Sequence, residues 1–179
     1  MKLVAAVLVF LVAIVVCALI LIYTGVYDVG TNNHDNALMN WALDATMVHS
    51  VQRHARGISV PPLSDSTLID EGFREYRACM GCHGAPGMSP GPIAKGLWPE
   101  APDLAKTADE WTSAQLFWII KNGLKFTSMP AWGPTRDDAR LWALTAFVKK
   151  LPRISAAEYK AMVEKAGTEG PGGQRPPTR

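Results

Sequence analysis

Cys79, Met80, Gly81, Cys82 and His83 stand together in a chain of 179 residues that contains only three cysteines and four histidines. On one helical turn, two thiols three positions apart can each form a thioether with one of the two vinyl groups of a haem. The adjacent imidazole can then sit under the iron, which is the chemistry of the C-x-x-C-H attachment pattern. Two rival chemistries use similar spacing. A thioredoxin-like redox pair belongs beside a βαβ pattern, which this sequence lacks. A zinc site needs a second Cys or His pair, and His34, His49 and His54 do not supply one. His49 and His54 are five apart, about 140° around a helix, so they share no metal-binding face.

An electron-transfer haem needs a second axial ligand, commonly Met or His, with Met raising the potential. Of the seven methionines, Met1 is at the terminus, Met80 lies between the two thiols, and Met88 follows His83 too closely to circle a porphyrin. Met39 and Met47 fall in one helical stretch and Met162 in another. Met129 stands in the loop Phe126-Thr127-Ser128-Met129-Pro130-Ala131-Trp132-Gly133, 46 residues beyond His83, with enough chain to cross a haem edge. This spacing selects His83 and Met129 as the axial pair.

These residues need elements to position them, and the apolar periodicity supplies helices only. Ser/Thr-x-x-Asp/Glu/Gln start signals, in which two orphan backbone donors are satisfied reciprocally, occur at Thr67/Asp70, Thr112/Gln115, Thr135/Asp138 and Ser155/Glu158. They predict a helix to about Cys79 with Ile69, Phe73 and Tyr76 on one face. Further helices are expected over Ser113–Asn122, stopped by Gly123, over Arg136–Leu151, stopped by Pro152, and over Ala156–Ala166. Leu38, Trp41, Ala45, Val48 and Gln52 recur at helical spacing between Asn33 and Gly57, which predicts an additional helix that lies on a membrane or packs on the next domain. No alternating strand pattern survives, so the fold class is all-α. The Gly/Pro-rich stretch from Gly84 to Glu110 is too long for an unsupported loop in a compact domain and calls for something to organise it.

Residues 66 to about 152 resemble a class I, mono-haem cytochrome c, and with the apolar N-terminus the chain resembles a membrane-anchored bacterial cytochrome c. The resemblance rests on Cys79-Met80-Gly81-Cys82-His83-Gly84, Ala101-Pro102-Asp103-Leu104, Lys121-Asn122-Gly123 and Thr127-Ser128-Met129-Pro130. It implies one covalent haem c. It also implies that the Pro102 carbonyl accepts the His83 Nδ1 hydrogen, that Leu104 and Trp111 line the pocket, and that the first and last helices pack with Phe73 and Tyr76 beside Leu141, Trp142 or Leu144. In the family an aromatic usually stands four residues before the first Cys. Here that position holds Glu75, and Tyr76 follows.

Leu3 to Tyr23 is an unbroken run of 21 apolar residues. As a helix it rises about 32 Å, which matches the roughly 30 Å hydrocarbon core of a bilayer. No A-x-A cleavage site follows, so an uncleaved anchor is expected. Val15 and Val16 before Cys17 do not suit lipidation. Without the run the remaining chain is about 41% apolar, close to the soluble average, and excludes disorder or a polytopic membrane protein. The net charge of +2 argues against nucleic acid as a partner. Lys2 on the short side and Asp28 and Asp35 on the other place the N-terminus in the cytoplasm and the haem domain in the periplasm of a bacterial inner membrane.

The organisation read from sequence is an anchor over 1–24, a juxtamembrane linker and helix over 25–62, a cytochrome domain over 63–153, a C-terminal helix over 154–166 and a disordered tail over 167–179. Lys95, Lys121, Lys125 and Arg136 are either a positive rim for an acidic partner or scattered solvated charges. The expected function is one-electron carriage rather than catalysis. Its partners would be the lipid bilayer and redox proteins: a quinol-oxidising complex or dehydrogenase as donor, a terminal oxidase or reductase as acceptor. The alternatives are a fixed subunit of a larger oxidoreductase, or a haem enzyme or ligand sensor with an open sixth position.

Overall fold

The computed structural model describes residues 2–32 and 37–168, and every regular element among them is helical. The chain divides into two compact units, Met1–Asp35 and Asn36–Arg179. His34, Asp35 and the stretch 169–179 lie outside the described residues.

The first unit contains helix α1, Lys2–Thr24, with no buried side chain. Its 23 residues are long and apolar enough to cross a membrane, which supports anchoring. Thr24 ends it with its hydroxyl turned back to the Ile20 carbonyl, 2.7 Å away.

In the second unit, α2 (Ala37–His54) is followed by Gly57 at φ +81°, the conformation that suits glycine past a helix end. Helices α3 (Ser66–Tyr76), α4 (Met80–His83), α5 (Leu104–Thr107), α6 (Ser113–Asn122), α7 (Asp138–Lys150) and α8 (Ala156–Thr168) follow. Short 3-10 turns occupy Pro92–Gly96 and Ala108–Glu110, organising part of the Gly/Pro-rich stretch.

The helix-start signals divide into two outcomes. Thr112 and Gln115 form a full capping box on α6, and Ser155 and Glu158 exchange the equivalent bonds ahead of α8. The other two helices are capped by aspartates instead. Asp65 accepts from the Thr67 backbone and hydroxyl, and Asp137 accepts from Arg140 N at 2.9 Å. A carboxylate outcompetes a neighbouring hydroxyl as acceptor for these orphan donors. The Thr135 hydroxyl instead closes a turn on the Trp132 carbonyl, and α7 starts two residues later than the spacing predicts.

The core sits where α3 crosses α7, with α6 packed against α7. The crossing is close because Gly72 has no side chain. A Cβ there would meet the Ala143 carbonyl oxygen at 2.0 Å and Phe147 Cβ at 2.7 Å. This contact point sets the aromatic register. Phe73 meets Phe147 edge-on at 5.6 Å and Tyr76 lies 5.3 Å from the same ring. The expected helix pairing is therefore present, but the aromatic partner lies about one turn further along α7 than Leu141 to Leu144. Trp142 instead stacks on Phe117 at 4.0 Å.

Helix α2 docks through a face other than the one its spacing suggested. Val51 and Ala55 are buried, and the His54 ring stacks on Trp118 of α6 at 5.4 Å, whereas Leu38 and Trp41 are exposed. The burial follows the half of the helix that reaches α6, not the strongest apolar repeat. Helix α8 continues to Thr168, two residues into the stretch read as tail.

Candidate functional site

Helix α3 delivers the chain to the C-x-x-C-H segment and is fastened to its far side. After Tyr76, a turn closed by Cys79 N to Tyr76 O at 2.8 Å leads into α4, which carries Met80 to His83. The Tyr76 hydroxyl, fully buried, donates to the Gly84 carbonyl at 2.8 Å. Tyr76, one position later than the aromatic expected from the resemblance, is thus the residue that turns inward, against Phe147.

Glu75 consequently does something else. Its side chain, only 9% exposed, accepts from Arg136 Nε at 2.6 Å and from Arg140 through Nε and Nη2. The Arg136 guanidinium lies over the Trp132 ring, 4.1 Å from its centroid. Arg136 is therefore not part of an open positive rim, and Lys121 is paired with Asp138 at 2.6 Å.

Cys79 is buried, Cys82 half-buried, and both are free thiols. Burial pushes the Cys79 thiol up to about 12, against the opposing field of Arg136. His83 donates from Nδ1 to the Pro102 carbonyl at 2.8 Å across 19 residues of chain. Burial holds this imidazole below its ordinary value, opposed by the Pro102 bond, so it is neutral at neutral pH with Nε2 uncommitted. Pro102 is positioned by the turn that starts α5, where Asp103 caps Ala105 N at 3.1 Å.

Leu104, Trp111 and Met129 are half-buried and pack against one core cluster that includes Cys79, Ala85 and Ala108. The Met129 loop is fixed at both ends. Met129 N bonds to the Thr127 hydroxyl at 3.1 Å, and its carbonyl accepts from Leu124 N at 3.2 Å. Gly123 at φ +66° lets the loop close over it, since a Cβ there would come within 2.8 Å of the Met129 carbonyl oxygen. Trp118 serves α2 docking, and Trp132 packs on the core with its Nε1 buried and without an acceptor.

The donor set fits a c-type haem: two free thiols at i and i+3, a neutral imidazole with one nitrogen engaged, a loop thioether and a buried N–H available to an acceptor. It does not fit zinc, because no three His, Cys, Asp or Glu side chains converge among the described residues.

Two contacts have no strong sequence signal. Tyr159 of α8 is fully buried, donates to Met80 Sδ at 3.0 Å and stands edge-on to Phe73 at 5.7 Å, so α8 closes over the motif. Lys149 Nζ bonds to Ala108 O, Trp111 O and Asp109 Oδ1, tying the stretch before α6 to α7. The only sequence hint of the first is a single large aromatic just inside a well-capped short helix.

Residues 67–148, just under half of the chain, match the family described as cytochrome c oxidase, cbb3-type, subunit III. That segment is a class I c-type cytochrome domain, an electron-transfer haem module preceded in this chain by an apolar N-terminal helix. No curated protein matches the chain.

Proposed function

We propose that this chain is a membrane-anchored cytochrome c that relays single electrons, in which Cys79 and Cys82 would hold one haem c through thioether bonds and His83 and Met129 would ligate its iron. The observation that carries the reading is the 2.8 Å hydrogen bond from His83 Nδ1 to the Pro102 carbonyl. It fixes the tautomer, turns Nε2 outward as the coordinating atom and raises its basicity.

When bound, the haem supplies a reversible one-electron iron couple. The protein's part is to keep that couple rigid and dry. The Pro102 bond prevents His83 from rotating, and the Thr127 and Leu124 bonds keep Met129 in place, so both ligands serve both oxidation states with little rearrangement. Leu104 and Trp111 exclude water from the pocket. One-electron transfer would make and break no bond, so holding these ligands and excluding water is the whole of the protein's part.

The anchor supports a place at a bacterial inner membrane with the haem domain on the periplasmic side, where tethering raises the effective concentration near membrane partners. Donors of the class expected are quinol-oxidising complexes or dehydrogenases, and acceptors are terminal oxidases or reductases. A second reading, a fixed subunit of an oxidase complex, is favoured by the description of the matching family. Purification in mild detergent separates the two: a carrier comes away alone, a subunit brings stoichiometric partners.

A pyridine haemochrome assay on protein matured with haem-attachment machinery tests the cofactor and should report one covalent haem c per chain. Met129→Ala should abolish the far-red Met–iron absorption band, lower the potential and open the iron to carbon monoxide. Absence of covalent haem, or a wild type that lacks the band and binds carbon monoxide, overturns the carrier reading.

A further inference from the structure

Helix α2 is partnered at one end only. Its C-terminal half is held by Val51, Ala55 and the His54–Trp118 stack, while Leu38 and Trp41 in its first turns are 73% and 68% exposed. Soluble surfaces seldom leave large apolar side chains grouped and open in this way. Trp41, Ala42, Ala45, Thr46, His49 and Arg53 line one shallow outer face.

The order of residues along that face identifies what covers it. Leu38, Ala42, Ala45, His49 and Arg53 follow one another at three-to-four spacing, so they form one stripe that begins apolar and ends with a histidine and a cation. Asp44, the only charged residue from Ala37 to Val48, shares the spacing of Val48 and Val51 and so lies off that stripe, itself exposed on the other side of the helix. A stripe with an apolar start, a tryptophan and a cationic end, and without a carboxylate, matches the acyl boundary and phosphate layer of a bilayer. A water-facing helix would carry charge throughout, and an acidic protein partner would be met by cations at the centre.

Chain length agrees. The 12 residues 25–36 that join α1 to α2 extend no more than about 43 Å, so α2 begins within reach of the surface that α1 enters. We infer that the outer face of the first turns of α2 inserts into the headgroup layer of the membrane that α1 spans. Gripping α6 through His54 and Trp118, α2 then couples the cytochrome domain to the lipid surface rather than leaving it on a loose tether. This rests on the anchor reading of α1.

The test uses the full haem-loaded protein in nanodiscs of phosphatidylcholine and phosphatidylglycerol, with an environment-sensitive fluorophore on single cysteines. Sites are Cys17 in the native chain, and Leu38→Cys, Trp41→Cys and Glu164→Cys, each in a Cys17→Ser background. Quenching by nitroxide-bearing lipids is compared with quenching by iodide, and ratios to unlabelled lipid cancel energy transfer to haem. The inference expects the labels at 38 and 41 to be quenched by headgroup-level nitroxide several-fold more than the label at 164, and to be shielded from iodide. Labels at 38 and 41 open to iodide while the Cys17 label is deep in lipid overturn the inference and leave the anchor intact. A Cys17 label open to iodide overturns the anchor reading, and the inference with it. Shielding of 38 and 41 that appears only when another protein is added overturns the lipid assignment in favour of a protein partner.

Discussion

The Tyr76 hydroxyl donates to the Gly84 carbonyl at 2.8 Å, so the last residue of α3 is bonded to the residue immediately after the C-x-x-C-H motif. The bond closes a loop around both thiols and His83. It is fully buried, and burial raises the phenol far above its ordinary value, so it stays a donor at any working pH. Tyr76→Phe leaves the Gly84 carbonyl without this donor and should cost about 1–3 kcal/mol in denaturant unfolding. Because Phe keeps the ring against Phe147, helicity should be unchanged, and an unaltered midpoint would show the bond to be dispensable.

Glu75 joins α3 to Arg136, just ahead of α7, and to Arg140 in its first turn. Its carboxylate is nearly buried while Arg136 is 16% and Arg140 33% exposed, so the pair is shielded on one side only. Glu75→Gln strands two guanidinium groups, and the expected loss is about 2–4 kcal/mol, below the full cost of a wholly buried pair because the arginines retain some water. Combining it with Arg136→Met should recover part of that loss. If the double variant is less stable than the sum of the singles, the arginine is not held there chiefly by Glu75.

The α3–α7 crossing depends on Gly72. A Cβ there would meet backbone, the Ala143 carbonyl oxygen at 2.0 Å, which no rotamer change relieves. Gly72→Ala should therefore destabilise by about 3 kcal/mol or more despite alanine's better helix propensity. Gly81→Ala is the control, since a Cβ added there would meet nothing within 4 Å. Equal unfolding midpoints for the two variants would refute the close-crossing account.

The difference between what the sequence disclosed and what it hid follows from the range of each interaction. Local signals were readable: Gln115 reaching back to Thr112, Gly123 in the left-handed region after α6, the buried stripe Ile69, Phe73, Tyr76. So was the reach of His83 to Pro102, because a shared family pattern carries it although the two stand 19 positions apart. What stayed hidden were contacts whose partners are fixed only by helix crossing. Phe147 joins Leu141 and Leu144 in the core around Tyr76 because Gly72 sets the crossing point, and nothing local to either helix encodes that ring contact. Likewise Glu75 faces Arg136 and Arg140 across more than 60 residues, and α2 buries Val51 instead of Trp41 because only its end reaches α6. The two misplaced caps were a contest between neighbours, which a carboxylate wins from a hydroxyl at Asp65 and Asp137.

Acid should release α8 before the rest of the domain. Glu158 accepts from the Ser155 hydroxyl and backbone N, both at 2.7 Å, and these bonds hold its carboxyl below the ordinary 4.5. A carboxyl depressed in the folded state stabilises it above the unfolded value, and that contribution is lost as pH falls from about 4.5 through the lower folded value. Helix α8 then loses its N-terminal box, and with it the support that holds Tyr159 on Met80 Sδ. Relative to the intrinsic exchange rate at each pH, backbone amides of α8 should be less protected at about pH 3.5 than at about pH 5.5, while amides of the α3–α7 core keep their protection. Glu158→Gln removes the titrating group but keeps an acceptor, so it should flatten the pH dependence of α8 protection. An α8 that opens equally at both pH values in the wild type, or keeps its full pH dependence in Glu158→Gln, would show that the box does not govern the docking of this helix over the motif.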